Sequence, residues 1–255
     1  MLENVIENLS NHKVTEVILS MGFQPSAFVD AYPNGMCGGL PLKYVVEPTP
    51  LDTAGAIGFS ALKSSVNETF LVCNGDVIAE TDISELVDFH RDAGAEATIS
   101  LTPTDNPSQY GIVPTDEHGQ VTGFIEKPSG PHFETNMINA GHYVMEPSVL
   151  GRIASNRPSS VETEIFPQMV EDKTLYAVPS ETYWIDAGIP ETFLQANLDL
   201  LNGVRGEKIN GVHEQASVGS NAVVKLSMIG KGAKIADGAH VENSVLLDGV
   251  EVEKN

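Results

Sequence analysis

Apolar residues fall at helical spacing from the first turn of the chain, with Leu2, Val5, Ile6 and Leu9 on one face. Asn11-His12-Lys13 ends that helix, and V-T-E-V-I-L-S, from Val14 to Ser20, reads as a strand. A short helix from Pro25 to Ala31 and a loop from Tyr32 to Pro41 with three glycines lead to a second strand, Leu42 to Glu47. Pro48-Thr49-Pro50-Leu51-Asp52 makes a rigid turn, and Thr53 to Leu62 a helix with small residues in its first turns. Thr69 to Asn74 is a short unbroken apolar run, the pattern of a strand buried on both faces in the middle of a parallel sheet. With a helix from Ile83 to Asp92 the order is αβαβαβα, which predicts an α/β fold with a doubly wound, Rossmann-like parallel sheet.

The pattern then turns strand-rich: Ala95 to Leu101, Gly111 to Pro114, Val121 to Glu126 and Met137 to Met145, with Glu117-His118-Gly119 as a hairpin turn. Helices return at Ser148 to Ala154 and Val161 to Glu171. Short strands at Leu175 to Val178 and Tyr183 to Ile185 precede a last helix, Pro190 to Leu201, with Pro at its first position. Beyond Gly211 the period becomes six. Val212, Val218 and Val224 are followed, after one shortened interval, by Ile229, Ile235, Val241 and Leu247. Small residues Ala216, Ala222, Ala233, Ala239 and Val245 sit four beyond the guide residues. This is the signature of flat-sided coils, the start of a left-handed β-helix. The expected domains are therefore 1–208 and 209–255, the second stopping after two or three coils with no capping helix.

Composition narrows the partners. Fourteen basic against 35 acidic residues give a formal charge of −21 over 255 residues, a surface that repels nucleic acid and anionic membranes. An anionic phosphate ligand would then need locally placed Lys, a cation such as Mg²⁺, or backbone N–H groups. Two cysteines, Cys37 and Cys73, fit a reducing compartment; no apolar run approaches membrane-spanning length, and Glu3, Glu7, Lys13 and Glu16 exclude a signal peptide. A cytoplasmic protein is the expectation.

Four places combine a strand end with chemistry-bearing residues. Asn74-Gly75-Asp76 ends the buried run, and its carboxylate is either a metal or phosphate site or the cap of the next helix. Trp184-Ile185-Asp186-Ala187-Gly188 repeats the arrangement, with a cap before Pro190 as the plainer reading of Asp186. Two such Asp can hold one Mg²⁺ with water and phosphate oxygens completing its shell. At Phe124-Ile125-Glu126-Lys127-Pro128 the adjacent Glu and Lys point to opposite faces of a strand and should not simply pair. They could serve a sugar hydroxyl and a phosphate, or form a solvated edge. Asn139-Ala140-Gly141 puts a polar side chain in an apolar strand, where it must find partners, beside a Gly that permits close approach of a ligand.

In order, P-T-P-L-D-T-A-G-A-I (48–57), L-V-C-N-G-D (71–76), Y-G-I-V (110–113), F-I-E-K-P (124–128), I-N-A-G-H-Y-V (138–144), V-E-T-E-I-F-P (161–167) and Y-W-I-D-A-G-I-P-E-T-F-L-Q-A-N (183–197) resemble the sugar-phosphate nucleotidylyltransferases, the NDP-sugar pyrophosphorylases. The likeness covers residues 1 to about 203, and a hexapeptide-repeat tail is usual in several branches. It is most similar to the mannose-1-phosphate guanylyltransferase branch, with glucose-1-phosphate thymidylyl- and adenylyltransferases next. The resemblance implies an NTP and a sugar 1-phosphate as substrates and Mg²⁺ on Asp76 and Asp186. It implies Leu51, Asp52, Thr53, Ala54 and Gly55 facing base and ribose, with Asn74 and Gly75 beside them, and Gly111 packing on the sugar. Glu126, Asn139 and Glu162 would bind the hexose, and Lys127 its phosphate.

Glu47, where thymidylyl enzymes resemble one another in carrying Gln, can accept both guanine N–H groups, which favours GTP; its alternative is a cap on the turn. Asp52 stands where the family more usually has Gly. The family's G-G-x-G-T-R loop, with its phosphate-cradling N–H groups, is not among these residues. Neither is the central strand before it, whose neighbours would be left unpaired. The expectation is a fragment, inactive alone, that forms homo-oligomers through its coils. The alternative is a non-catalytic NDP-sugar-binding paralogue that regulates or assembles with an active partner. An acyltransferase-type hexapeptide protein fits least, because His213 and His240 are isolated.

Overall fold

The computed structural model describes residues 1–128, 134–155 and 157–254, and by its internal contacts the chain divides into two units, Met1–Trp184 and Ile185–Asn255. In chain order the first holds α1 (Leu2–Ser10), β1 (Val17–Met21), α2 (Pro25–Ala31), β2 (Met36–Cys37), β3 (Leu40–Val46), α3 (Asp52–Ser64), β4 (Phe70–Cys73), β5 (Val77–Ala79) and α4 (Ile83–Ala93). These are followed by β6 (Ala97–Pro103), β7 (Gly111–Ile112), β8 (Ile125–Glu126), β9 (Met137–Met145), α5 (Phe166–Glu171) and β10 (Leu175–Pro179). Helices α1 to α4 form where the sequence predicts them. Val5, Ile6 and Leu9 are the buried face of α1. Asp82 caps α4 by accepting the Glu85 N–H at 2.9 Å, and Gly94 closes it in the left-handed conformation.

The sheet differs from the doubly wound parallel expectation. Six strands run in the order β10-β6-β9-β7-β8, with β4 also paired to β9, and this sheet is mixed. β10 runs parallel to β6, whereas β4, β6 and β7 are all antiparallel to β9. The nine residues of β9 are long enough to carry β6 along one edge and to share the other between β4 and β7. Apolar periodicity reports burial, not strand direction, so this return was invisible in the pattern. β1 and β3 are parallel as predicted, but with β2 they form a separate three-stranded sheet. β4, expected to be buried mid-sheet, is half-buried and pairs with β9 alone among the described residues.

Other boundaries shift for local reasons. The strand expected from Val14 starts at Val17. That expected over Val121 to Glu126 shrinks to β8, with only an isolated bridge, Thr115 to Val121, before Gly123. The helix expected over Ser148 to Ala154 is a 3₁₀ turn, Pro147–Gly151. That at Val161 opens with a π-helical turn, Val161–Ile165, before α5. Pro167 has no N–H to donate to residue 163, which removes one α-helical bond at this junction.

Two apolar clusters hold the first unit. One centres on Ile99, Leu101, Tyr143, Met145 and Phe166 under the six-stranded sheet. The other gathers Val5, Ile6 and Leu9 of α1 with Leu40, Leu42 and Ile83. Cys37 is buried and Cys73 half-buried, both as free thiols. Among the described residues no helix is long and apolar enough to cross a membrane.

The second unit takes in α6 (Pro190–Asn202) and the repeats. Its short strands pair in parallel with partners seventeen residues on: Ser217–Val218 with Lys234–Ile235 and then Glu251–Val252, Val223–Lys225 with His240–Glu242, and Met228–Ile229 with Val245–Leu246. A turn of seventeen contains the shortened interval every time, not once. Leu246 therefore takes the rung assigned to Leu247, which is 64% exposed, and Val245 pairs beside it rather than filling the small inner position. Ile229, Ala233, Ile235, Ala239 and Val241 form the buried interior.

Candidate active site

The turn after β3 is locked by its own side chains. Glu47 Oε2 accepts the Leu51 N–H at 3.0 Å and Oε1 accepts the Ser20 hydroxyl at 3.2 Å. The capping role set beside the guanine-binding role of Glu47 is thus the one it plays here. Asp52 opens α3 at φ 61, the left-handed region, with Oδ1 accepting the Thr53 N–H at 2.7 Å. That backbone favours Gly, and Asp is among the few side chains that tolerate it. Ala54 and Gly55 donate their N–H groups to the Ser159 carbonyl at 2.8 and 3.1 Å, and Leu51, Ala54 and Gly55 are buried. Of the five residues of this turn, Asp52 and Thr53 alone keep exposed surface.

Thr53 links α3 to the π-helical turn. Its hydroxyl donates to Glu162 Oε2 at 2.7 Å and accepts the Val161 N–H at 2.8 Å. Ser160 donates to the same carboxylate oxygen at 2.9 Å. Two hydroxyls thus fix Glu162. Glu126 lies within its field: burial first, and then the Glu162 charge, push the Glu126 carboxyl up, against the opposing pull of Lys127. The expectation that Glu126 and Lys127 do not pair is corrected by an Nζ to Oε1 distance of 3.8 Å. Lys127 leaves the strand at φ 41, and this turn, rather than the pleat, sets its direction. Gly111 faces Phe124 and Glu126: a Cβ there would stand 2.8 Å from Phe124 Cζ and 2.9 Å from Glu126 Oε2. The space over Gly111 is filled by these two side chains.

Asn139 sits where the β6–β9 register breaks between Ile99 and Leu101. Its Oδ1 accepts the Gly141 N–H at 2.9 Å and its Nδ2 donates to the Tyr143 hydroxyl at 2.8 Å. Gly141, at φ 78, admits Asn74 rather than a ligand: a Cβ would stand 2.9 Å from Asn74 Nδ2, and the Asn74 N–H donates to the Gly141 carbonyl at 2.9 Å. Trp184, the single tryptophan, pins this bulge by donating to the Ala140 carbonyl at 3.0 Å. Tyr143 and Ser160 are the members that sequence reasoning passed over. A buried tyrosine needs a hydroxyl partner, and that signal was available in I-N-A-G-H-Y-V. Burial and the Glu162 charge push its phenol well above the ordinary range.

Asp76 and Gly75 are exposed just beyond β4. Asp186 belongs to the second unit, half-buried, with Oδ1 accepting the Gly188 N–H at 2.9 Å. Each is a carboxylate, the kind of oxygen donor that a hard divalent cation such as Mg²⁺ takes. Among the described residues no three or more His, Cys, Asp or Glu side chains cluster as metal ligands.

Residues 1–203 match the family model for nucleotidyl transferase. The chain is 36% identical over 264 residues to mannose-1-phosphate guanylyltransferase of Mycobacterium tuberculosis, covering 99% of this chain and 72% of that protein. It is 35% identical over 231 residues to mannose-1-phosphate guanyltransferase of Saccharomyces cerevisiae, covering 88% of this chain and 62% of that one. Among solved structures, HddC from Yersinia pseudotuberculosis complexed with GMP-PN superposes with a TM-score of 0.65 at 26% identity, over 76% of this chain and 83% of that one.

Proposed function

We propose, for a chain that belongs to the nucleotidyl transferase family, that it moves a guanylyl group from GTP to mannose 1-phosphate. A phosphate oxygen of the sugar 1-phosphate forms a new bond to the α-phosphorus, the bond to the β-phosphate bridging oxygen breaks, and pyrophosphate leaves with the electron pair. Such chemistry calls for positioning and charge neutralisation rather than a covalent enzyme intermediate. The observation that carries the sugar end is the carboxylate pair Glu126 and Glu162, one half-buried and raised, the other fixed by Thr53 and Ser160. Two acceptors so placed suit adjacent hexose hydroxyls, with Asn139 as the donor beside them and Lys127 turning from Glu126 to the phosphate. Asp52 and Thr53 are left for the ribose and base. The guanine choice now rests on the guanylyltransferase relatives and the GMP-PN complex of HddC, because the Glu47 oxygens accept from Leu51 of the turn and Ser20 of β1.

Asp76 and Asp186 would hold Mg²⁺, which when bound neutralises charge on the triphosphate. In the second unit we read the seventeen-residue turns as a left-handed β-helix through which copies of the chain associate; sedimentation of the intact protein and of the chain without residues 209–255 tests this, a monomer in both cases excluding it.

The test of the reaction is pyrophosphate release from GTP, dTTP and ATP, each with mannose 1-phosphate and glucose 1-phosphate. GTP with mannose 1-phosphate should be the fastest pair, and Asp76→Asn or Asp186→Asn should slow it at least about a hundredfold, the scale of one lost charge-stabilising group. A faster dTTP and glucose 1-phosphate pair would reassign the substrates. Unchanged rates in both Asn variants would remove the metal assignment.

A further inference from the structure

The segment that joins β3 to α3 has most of its polar groups engaged. Glu47 accepts from the Leu51 N–H and the Ser20 hydroxyl, one bond to each oxygen. Ser20 in turn accepts the Ser60 hydroxyl at 2.8 Å, which ties the Glu47 carboxylate back to the middle of α3. The Thr53 hydroxyl serves Glu162 and the Val161 N–H, and the Ala54 and Gly55 N–H groups go to the Ser159 carbonyl. Among the described residues one carboxylate oxygen of this segment keeps no donor. It is Asp52 Oδ2, on an exposed residue whose Oδ1 accepts the Thr53 N–H. Asp52 holds its place against its own backbone, since φ 61 is a region that Gly enters freely and an L side chain does not. Strain of this kind persists where the side chain serves something that the local fold does not.

We infer that Asp52 is the residue that selects guanine in this chain, its Oδ2 and the remaining lone pair of Oδ1 accepting the hydrogens of the 2-amino group and of N1. The inference rests on the guanylyl reading above and moves base recognition from Glu47 to the first residue of α3. Charge decides which end of the nucleotide Asp52 meets. A carboxylate only accepts and repels phosphate, so it suits the uncharged end that carries N–H donors, the base. The donor pattern decides which base. Guanine presents two adjacent donors on one edge. Adenine and cytosine set an acceptor beside their amino group, and thymine and uracil flank a single N–H with carbonyls. An acceptor pair is therefore matched by guanine and left half-paired or opposed by the others.

The probes are GDP, IDP and dTDP, titrated into the 255-residue chain by calorimetry; IDP differs from GDP only in lacking the 2-amino group. The parent should bind GDP at least about tenfold more tightly than IDP, the scale of one charged hydrogen bond, and dTDP more weakly than GDP. Asp52→Gly relaxes the backbone, and Asp52→Asn keeps an oxygen for the Thr53 N–H. In both, the GDP to IDP ratio should fall below about threefold. Glu47→Gln should keep the parent's ratio. A parent that does not distinguish GDP from IDP would overturn the assignment, as would a ratio that collapses in Glu47→Gln instead. A ratio that survives both Asp52 variants would also overturn it, and equal weakening of GDP and IDP there would put the carboxylate on the ribose. In each of these cases GDP still outbinds dTDP in the parent and the guanylyl reading stands. A parent that binds dTDP more tightly than GDP removes that reading, and the assignment of Asp52 with it.

Discussion

The six-stranded and three-stranded sheets of the first unit are made of similar residues and are packed very differently. Under the six-stranded sheet Ile99, Met145, Phe166 and Leu175 are fully buried, and Phe166 meets Tyr143 at 5.2 Å and Phe124 at 5.1 Å between ring centroids. In the three-stranded sheet Val17, Ile18 and Leu19 of β1 are only half-buried, on an open cleft. Burial, and with it stability, is set by what lies beside a strand rather than by its own hydrophobicity. The half that is closed also carries the fixed carboxylate pair.

The largest test of that contrast is a pair of truncations. Phe166→Ala should cost about 3–5 kcal/mol, while Leu19→Ala, whose side chain already meets the cleft, should cost about 1 kcal/mol or less. Urea denaturation measures both, and equal losses would erase the distinction.

How much of this was legible follows the same line. Helices α1, α3 and α4 could be read because their apolar spacing and caps are local. β1 and β3 could be read as parallel neighbours, but the antiparallel β9 could not, since the pairing of Phe70 with Met145 spans seventy-five positions and leaves no local trace. At the site, Asn139 stood out as a polar residue in an apolar strand and Glu126 as a carboxylate beside Lys127 at a strand end, while Glu162 came only from the family resemblance. The hydroxyl supports from Thr53 and Ser160 did not stand out, because Thr and Ser occur everywhere and only tertiary contact selects two of them. Glu47 shows the converse: residue type suggested a base contact, and its oxygens go instead to the Leu51 N–H of the turn and the Ser20 hydroxyl of β1. In the coil, a period of six was visible, but its recurring contraction to seventeen per turn needed the rungs themselves.

Acid should strain the closed half next. His142 of β9 is buried beside the Thr81 hydroxyl at 3.1 Å, and burial holds its imidazole down at about 4 from an ordinary 6.5. Between those values the unfolded chain binds a proton that the folded one does not. Stability therefore falls as pH is lowered from 6.5 to about 4, by about 3 kcal/mol in all. Denaturation at pH 7 and pH 4.5 should show a smaller loss in His142→Asn than in the parent chain; identical losses would mean that His142 is not the sensor.

A smaller effect belongs to the support of Glu162. Thr53→Val should destabilise by about 1–2 kcal/mol through the unpaired Val161 N–H, and Thr53→Ser should recover most of it in the same denaturation assay. The smallest, and opposite in sign, is on the open half. Asp52→Gly should relieve left-handed strain and leave stability within about 1 kcal/mol of the parent, on the stabilising side; a clear loss would show that the Asp52 bond to Thr53 outweighs the strain.

The most direct measurement compares the two carboxylates that sequence alone could not rank, one on each half. GDP-mannose is titrated into the chain with Trp184 fluorescence as the signal, in the parent, Glu162→Gln and Glu47→Gln. The expected result is an affinity at least about tenfold weaker in Glu162→Gln, the scale of a lost charged hydrogen bond, and nearly unchanged in Glu47→Gln, whose amide oxygen still caps the turn. A larger loss in Glu47→Gln than in Glu162→Gln would contradict it and return the nucleotide contact to the turn after β3.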